Sequence, residues 1–294
     1  MGMGRDLVAA YPAAASLFDE ARALLDFDLT GVMASGPEAE LTRTGYCQPA
    51  LYLHGLAVLA VLRERVPGLV VAACAGLSLG EFTAHAAAGT FSFADGLRLV
   101  AARGRFMDEA CAAAAGAMAA MIGGEEAAVR ELAAECDVDV ANLNAPGQIV
   151  LSGSEAGIAR AVAGARARGI RLAKPLAVAG AYHSRLMRPA QEKLAAELAA
   201  TSLRPPSVPV ISNVTAGPVA EPSEIRRTLE AQVTGSVRWS ESMQYLRRCG
   251  HDLFLELGPG GVLAGLMSRI DKSARVLSIE DTASLEKAVA ELNA

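Results

Sequence analysis

At 294 residues the chain can bury a large core, either as one domain or as two unequal ones. Hydrophobic content of 52% with only 4% aromatics describes a core built from Ala, Val and Leu, the make-up of helix-rich α/β enzymes. A net charge of −5, with no block of five like charges, argues against nucleic acid as the main ligand, which needs a dense basic surface.

The first helical spacing covers residues 5–26 and is interrupted at Pro12. A second, over 48–66, places Leu51, Leu53, Leu56, Val58 and Leu59 in a mostly buried helix with Pro49 in its first turn. Pro67-Gly68 breaks the chain, and LVVAACAG (69–76) follows as a continuously apolar run, expected as a central parallel strand covered on both faces. Helices are expected from Glu81 onward and over 93–111.

The middle segment changes pattern. Residues 117–123 read as a strand, 125–136 as a helix, 138–144 and 148–153 as strands joined by a Pro-Gly turn, 154–169 as a helix capped by Ser154, and 170–178 as a last strand. The order βαββαβ is that of a ferredoxin-like subdomain. The expected fold is therefore α/β: a large α/β-hydrolase-like domain with a parallel sheet (1–115 and 181–294) and an inserted ferredoxin-like subdomain (116–180). Beyond it come a helix (189–200), a Pro-rich link (203–209), a strand VISN (210–213), helices around 223–248, a strand at 254–258 and a helix over 261–270.

Cys47, Cys74, Cys111, Cys136 and Cys249 are scattered without CxxC spacing, as expected for reduced, mostly buried thiols. The N-terminal stretch lacks the basic-then-apolar pattern of a signal peptide, and 69–80 is too short to span a bilayer. A soluble, cytoplasmic protein is expected, away from membranes.

Within CAGLSLGEFTAH (74–85), Ser78 lies between Gly76 and Gly80 where an apolar run meets a helical one. That is the context of a nucleophile elbow, in which the glycines let strand and helix approach. The helix N-terminus and the Leu79 N–H would then face a developing oxyanion. It is equally the context of a βα turn whose serine caps the helix, and the motif alone leaves the two readings level. A nucleophilic serine needs a base. His54 falls inside an apolar helix, His85 is seven residues beyond Ser78 on the same helix and points away, and His251 starts a strand. His183, in GAYHSRLM, remains by elimination. Arg103, on its own pattern, reads as a surface arginine paired with Asp108 or Glu109.

An ordered set of motifs changes this balance: TGYCQPAL (44–51), AGLSLGEFTA (75–84), RGRFMDEA (103–110), GAMAAMIG (116–123), NLNAPGQIVLSG (142–153), GAYHSRLM (180–187), VISNVTA (210–216), QVTGSVRW (232–239) and ELGPGGVLAGL (256–266). In this set and over nearly its whole length, the chain resembles the malonyl-CoA:acyl-carrier-protein transacylases of fatty acid and polyketide synthesis. The resemblance implies malonyl transfer from malonyl-CoA to the thiol of an acyl carrier protein through a malonyl-Ser78 ester, with His183 as base. It implies that a backbone carbonyl near Gln232, and no carboxylate, orients His183. It gives Arg103 the malonyl carboxylate, which suits a guanidinium fork, and Leu79 half of the oxyanion hole.

By the same resemblance Leu77, Ala181, Tyr182 and Asn144 belong to the acyl pocket, with bulky Tyr182 favouring malonyl over an α-methyl unit. One methyl is worth about 1–3 kcal/mol, a preference and no more. Leu77 stands where the family usually has histidine, a variant associated with stand-alone polyketide enzymes. No metal or bound cofactor is implied, and a monomer is expected. Carrier-protein docking is expected on basic residues, either Lys174, Arg185 and Arg188 or Arg247 and Arg248. Family members open with a strand and a glycine-rich FPGQGSQ loop just before the GMGRDL stretch, which here is residues 2–7. The loop donates the second oxyanion N–H, worth about 2.7–4 kcal/mol. Its absence implies a start assigned too late or a truncated, impaired homologue, with an exposed strand edge. A thioester hydrolase of the same architecture is the competing activity.

Overall fold

The computed structural model describes residues 1–294. Nine strands form three sheets. In chain order they are β1 (Cys74–Ala75), β2 (Gly116–Ile122), β3 (Asp139–Ala145), β4 (Gln148–Ser154), β5 (Leu172–Pro175), β6 (Val210–Ile211), β7 (Pro218–Val219), β8 (Leu253–Leu257) and β9 (Arg275–Ile279). β1 pairs in parallel with β6, β6 pairs antiparallel with β7, and β8 pairs in parallel with β9. The fold is α/β with parallel and mixed sheets, as expected.

The largest core packs the helix Thr44–Arg65 against Phe93–Ala113, with Pro12–Leu24 and Arg188–Ala200 around them. Thr44–Arg65 starts earlier than its periodicity indicated, so Pro49 falls inside the helix and not in its first turn. Its first turn is instead set by backbone contact: a Cβ on Gly104 would lie 2.6 Å from the Thr44 carbonyl oxygen, and Gly45 N–H donates to Asp108 Oδ2 at 3.0 Å. Thr44–Arg65 is long and apolar enough to cross a membrane, but most of it is buried in this core.

The expected strand over 69–76 shrinks to two residues. β1 has a ladder on one edge only; the rest of the apolar run has no regular pairing, and Val70 is 86% exposed. β8 likewise has one unpaired edge, with Leu253 partly exposed beside it. VISN narrows to β6 and the strand expected over 170–178 to β5. The short helices Leu29–Ser35 and Glu38–Leu41, the strands β7 and β9, and the C-terminal helix Thr282–Leu292 had no counterpart in the sequence reading.

Residues 116–175 keep the anticipated element order. Their sheet runs β3-β4-β2-β5, antiparallel throughout, with helices Glu126–Glu135 and Glu155–Gly164 on one face. Ala119, Met121, Leu143, Ile149 and Leu151 point to those helices and form a separate core, as strand alternation requires. Ser154 caps its helix by accepting from Gly157 N–H. The cysteines are unpaired as expected, but only Cys136 is buried; Cys249 is exposed.

Candidate active site

Ser78 sits between β1 and the helix Leu79–Ala87 with φ 53° and ψ −109°, a strained conformation for a residue with a Cβ. Gly76 is what permits the turn: a Cβ there would lie 1.9 Å from the Gly80 carbonyl carbon. Gly80, by contrast, faces open space, so only one of the two glycines serves the close approach.

Side chains from distant segments hold the strained residue on both sides. Asn213, just after β6, accepts from Ser78 N–H at 2.7 Å and donates to the Gly76 carbonyl at 2.7 Å. The Gln232 amide donates to the Ser78 carbonyl at 2.9 Å. Ser-x-x-Glu at 78–81 has the spacing of a capping box, yet Ser78 makes no side-chain cap bond. The capping reading is overturned: the Ser78 hydroxyl turns to other side chains, and Asn213 holds the Ser78 N–H that a capping-box Glu81 would have taken.

Those contacts are His183 and Arg103. Ser78 Oγ lies 2.7 Å from His183 Nε2, and His183 Nδ1 lies 2.9 Å from the Gln232 backbone oxygen. A carbonyl can only accept, so Nδ1 carries the proton and Nε2 is left to accept the Ser78 O–H. Burial, reinforced by the Arg103 charge, pushes the His183 pKa down to about 4, against the opposing pull of the Gln232 and Gly235 carbonyls. The ring is thus neutral at neutral pH, the form a base must have. Like Ser78, His183 has positive φ, 56°.

Arg103 is not the surface residue its local pattern allowed. It is 1% exposed, its guanidinium over the Phe82 ring. Nη1 donates to Gln48 Oε1 at 2.6 Å, and Nη2 donates to Ser78 Oγ at 3.0 Å and Gln232 Oε1 at 2.9 Å; Nε has no partner. Asp108 and Glu109, the expected surface partners, bond to Gly45 and Lys193 instead. Burial lowers its pKa to about 10, so it stays charged at neutral pH. A buried cation with spare donor capacity beside a hydroxyl is suited to an anionic group on that hydroxyl.

Leu79 opens its helix, so its N–H is among those a helix leaves without an internal partner. The proposed pocket residues lie farther out. Tyr182 is half-buried with its hydroxyl 2.6 Å from Thr44 Oγ1. Leu77 packs against the small apolar cluster that includes Ile211, Val237 and Trp239. Ala181 is buried and its carbonyl accepts from Ser184, while Asn144 has a buried Oδ1 without a partner. None of these four hydrogen-bonds to Ser78, His183 or Arg103. His54 and His85 are core residues bonded to the Glu280 carbonyl and to Thr90.

The sequence reading missed Gln48, Glu81 and Asn213. All three lie within motifs already singled out, and the signal was a polar residue inside an otherwise apolar stretch. Two of the basic residues considered for docking are neutralised: Arg185 pairs with Asp137 and Asp139, and Arg247 with Asp252 and Asp271. Lys174, Arg188 and Arg248 remain exposed.

Ser78 on its strained turn, a neutral buried His183 and the buried Arg103 thus meet at one point, and residues 1–288 match the acyl transferase domain family, to which the chain belongs. It is 40% identical over 294 aligned positions to the malonyl CoA-acyl carrier protein transacylase of Bacillus subtilis, covering 98% of this chain and 92% of that one. The acyl-carrier-protein-S-malonyltransferase of Bartonella henselae superposes with TM-score 0.94 at 36% identity, over 100% of this chain and 96% of its own. A malonyl-transacylase solved with a type II polyketide acyl carrier protein superposes at 0.93 with 37% identity, over 99% and 95%.

Proposed function

We propose that this enzyme transfers a malonyl group from malonyl-CoA to the phosphopantetheine thiol of an acyl carrier protein. The observation that carries the reading is the Arg103 guanidinium buried within hydrogen-bond distance of the Ser78 hydroxyl. A neutral acyl group has no use for it, whereas a malonyl ester on Oγ brings a carboxylate to it.

Ser78 Oγ loses its proton to His183 Nε2 and bonds to the thioester carbonyl carbon. The negative oxygen is stabilised by the Leu79 N–H. The C–S bond breaks, and the departing CoA sulfur takes the proton from His183. The carrier-protein thiol then gives its proton to His183 and attacks the malonyl-Ser78 ester, and the returning proton regenerates the Ser78 hydroxyl. The Gln232 carbonyl keeps the imidazole in one tautomer through both halves. No metal or bound cofactor enters this sequence.

In this reading Tyr182, tied to Thr44, walls the acyl pocket with Leu77, Ala181 and Asn144. The carrier protein docks through exposed basic groups such as Lys174, Arg188 and Arg248. The enzyme works as a cytoplasmic monomer. The division into a hydrolase-like body (1–115 and 181–294) and a ferredoxin-like subdomain (116–180) is supported by the strand order of the four-stranded sheet and its separate core.

Mass spectrometry after incubation with malonyl-CoA tests the proposal. A malonyl adduct on the wild type, absent in Ser78→Ala and passed on to added carrier protein, is expected. Predominant hydrolysis, or equal loading of butyryl groups, would overturn it.

A further inference from the structure

Glu81 is fully buried, the third residue of the helix that begins beside Ser78, and the mechanism above gives it no part. It does not cap the helix. Oε2 accepts from Gln232 Nε2 at 2.6 Å and from Asn213 N–H at 3.2 Å, while Oε1 has no partner. A buried carboxylate left half-satisfied is costly, so its retention calls for a reason beyond packing.

The Gln232 amide supplies that reason. It lies wholly inside the protein with Oε1 toward Arg103 and Nε2 toward the Ser78 carbonyl and Glu81. Arg103 can only donate and the Ser78 carbonyl can only accept, so this amide has one workable orientation. Rotated by half a turn, it would set donor against donor and acceptor against acceptor. The Glu81 carboxylate biases the amide to the orientation that offers an acceptor to Arg103. It also balances the buried guanidinium through the amide without a direct ion pair that would compete with a substrate carboxylate.

We infer that Glu81 is a positioning residue for malonyl selection: through the Gln232 side-chain amide it holds Arg103 beside the Ser78 hydroxyl. This rests on the transfer reading above. Its consequence is selective, since an acetyl group does not need Arg103 and a malonyl group does.

The test compares acylation by malonyl-CoA and acetyl-CoA in wild type, Glu81→Ala, Glu81→Asp and Glu81→Gln, with circular dichroism and melting as checks of folding. Glu81→Asp keeps the charge but withdraws it from the amide; Glu81→Gln keeps reach and an acceptor. The expected result is a fall of about tenfold in the malonyl-over-acetyl ratio of kcat/KM for Glu81→Ala and Glu81→Asp, with Glu81→Gln recovering most of it. Should Glu81→Ala fail to fold, Glu81→Asp carries the comparison. Equal losses for both substrates, or unchanged preference in Glu81→Asp, would overturn the role of Glu81 and leave the transfer reading standing. A wild type that loads no malonyl group removes both.

Discussion

The four-stranded unit and the body that holds Ser78 are built on opposite principles. In the unit, strands of up to seven residues pair antiparallel along their whole length, only β3 and β4 being joined by a tight turn, and alternation sends one face to two helices. In the body, β1 and β6 are two residues each, and the turn between β1 and its helix is fixed by side chains 105 to 154 residues away along the chain. Regular pairing makes the first region stable without reference to chemistry. The second spends its long-range bonds on holding Ser78 and His183 in strained backbone conformations.

That contrast can be broken or sharpened by experiment. Ser78→Ala should lower malonyl transfer by on the order of 10⁴-fold or more while leaving the melting temperature nearly unchanged; a stopped assay beside a melting curve checks both. Leu151→Ala, in the separate core of the four-stranded unit, should do the reverse, costing about 2–5 kcal/mol of stability in urea unfolding with little change in kcat below the transition. A large fall in kcat in the folded variant would show that the two regions are not independent.

Arg103→Lys keeps the charge but loses the fork, and should reduce kcat/KM for malonyl-CoA about 10–100-fold with a much smaller effect on acetyl-CoA. Asn213→Ala leaves the Ser78 N–H and the Gly76 carbonyl without their partner. It should lower acylation about tenfold and cost about 1–3 kcal/mol of stability, joining the two properties at one residue.

The smallest effects are those of pH. With His183 held near 4, acylation should stay flat from neutral pH down to about pH 5 and fall only as the ring protonates near 4. Its folded value lies below the unfolded 6.5, so the unfolded chain binds the extra proton and stability declines as pH drops from 6.5 toward 4. Glu81 has the opposite sign. Burial raises it to about 7 from 4.5, so its contribution is present below 4.5 and is lost as pH rises through about 7. Melting of wild type against Glu81→Gln at pH 6 and pH 8 checks this, the wild type losing ground at the higher value.

Much of this organisation was legible beforehand, for reasons tied to particular residues. Ser154 as helix cap, the turn at Pro146-Gly147 and the apolar strand runs of β2 and β4 are local signals, and the structure reproduces them. Ser78 was visible as a serine between glycines, but that its hydroxyl does not cap the helix was decided by His183, 105 residues away, to which it turns instead. Local reading of Arg103 gave the wrong surroundings, because a helix pattern does not reveal which distant segment covers a charged position. The run over 69–76 was overread as a full strand because apolar composition does not state whether a second strand lies alongside.

By itself the sequence determined the element order of the small unit, the residue types available for acyl transfer and, through its ordered motifs, the family. These are properties of periodicity, turn chemistry and local spacing. Only the tertiary structure decided that Arg103 is buried and that Gln232, whose backbone the resemblance had already set beside His183, also serves Arg103 with its side chain. It alone showed that Glu81 and Asn213 stand behind Ser78. Buried polar groups take their meaning from partners that the fold brings together across more than a hundred residues, and no local pattern encodes that meeting.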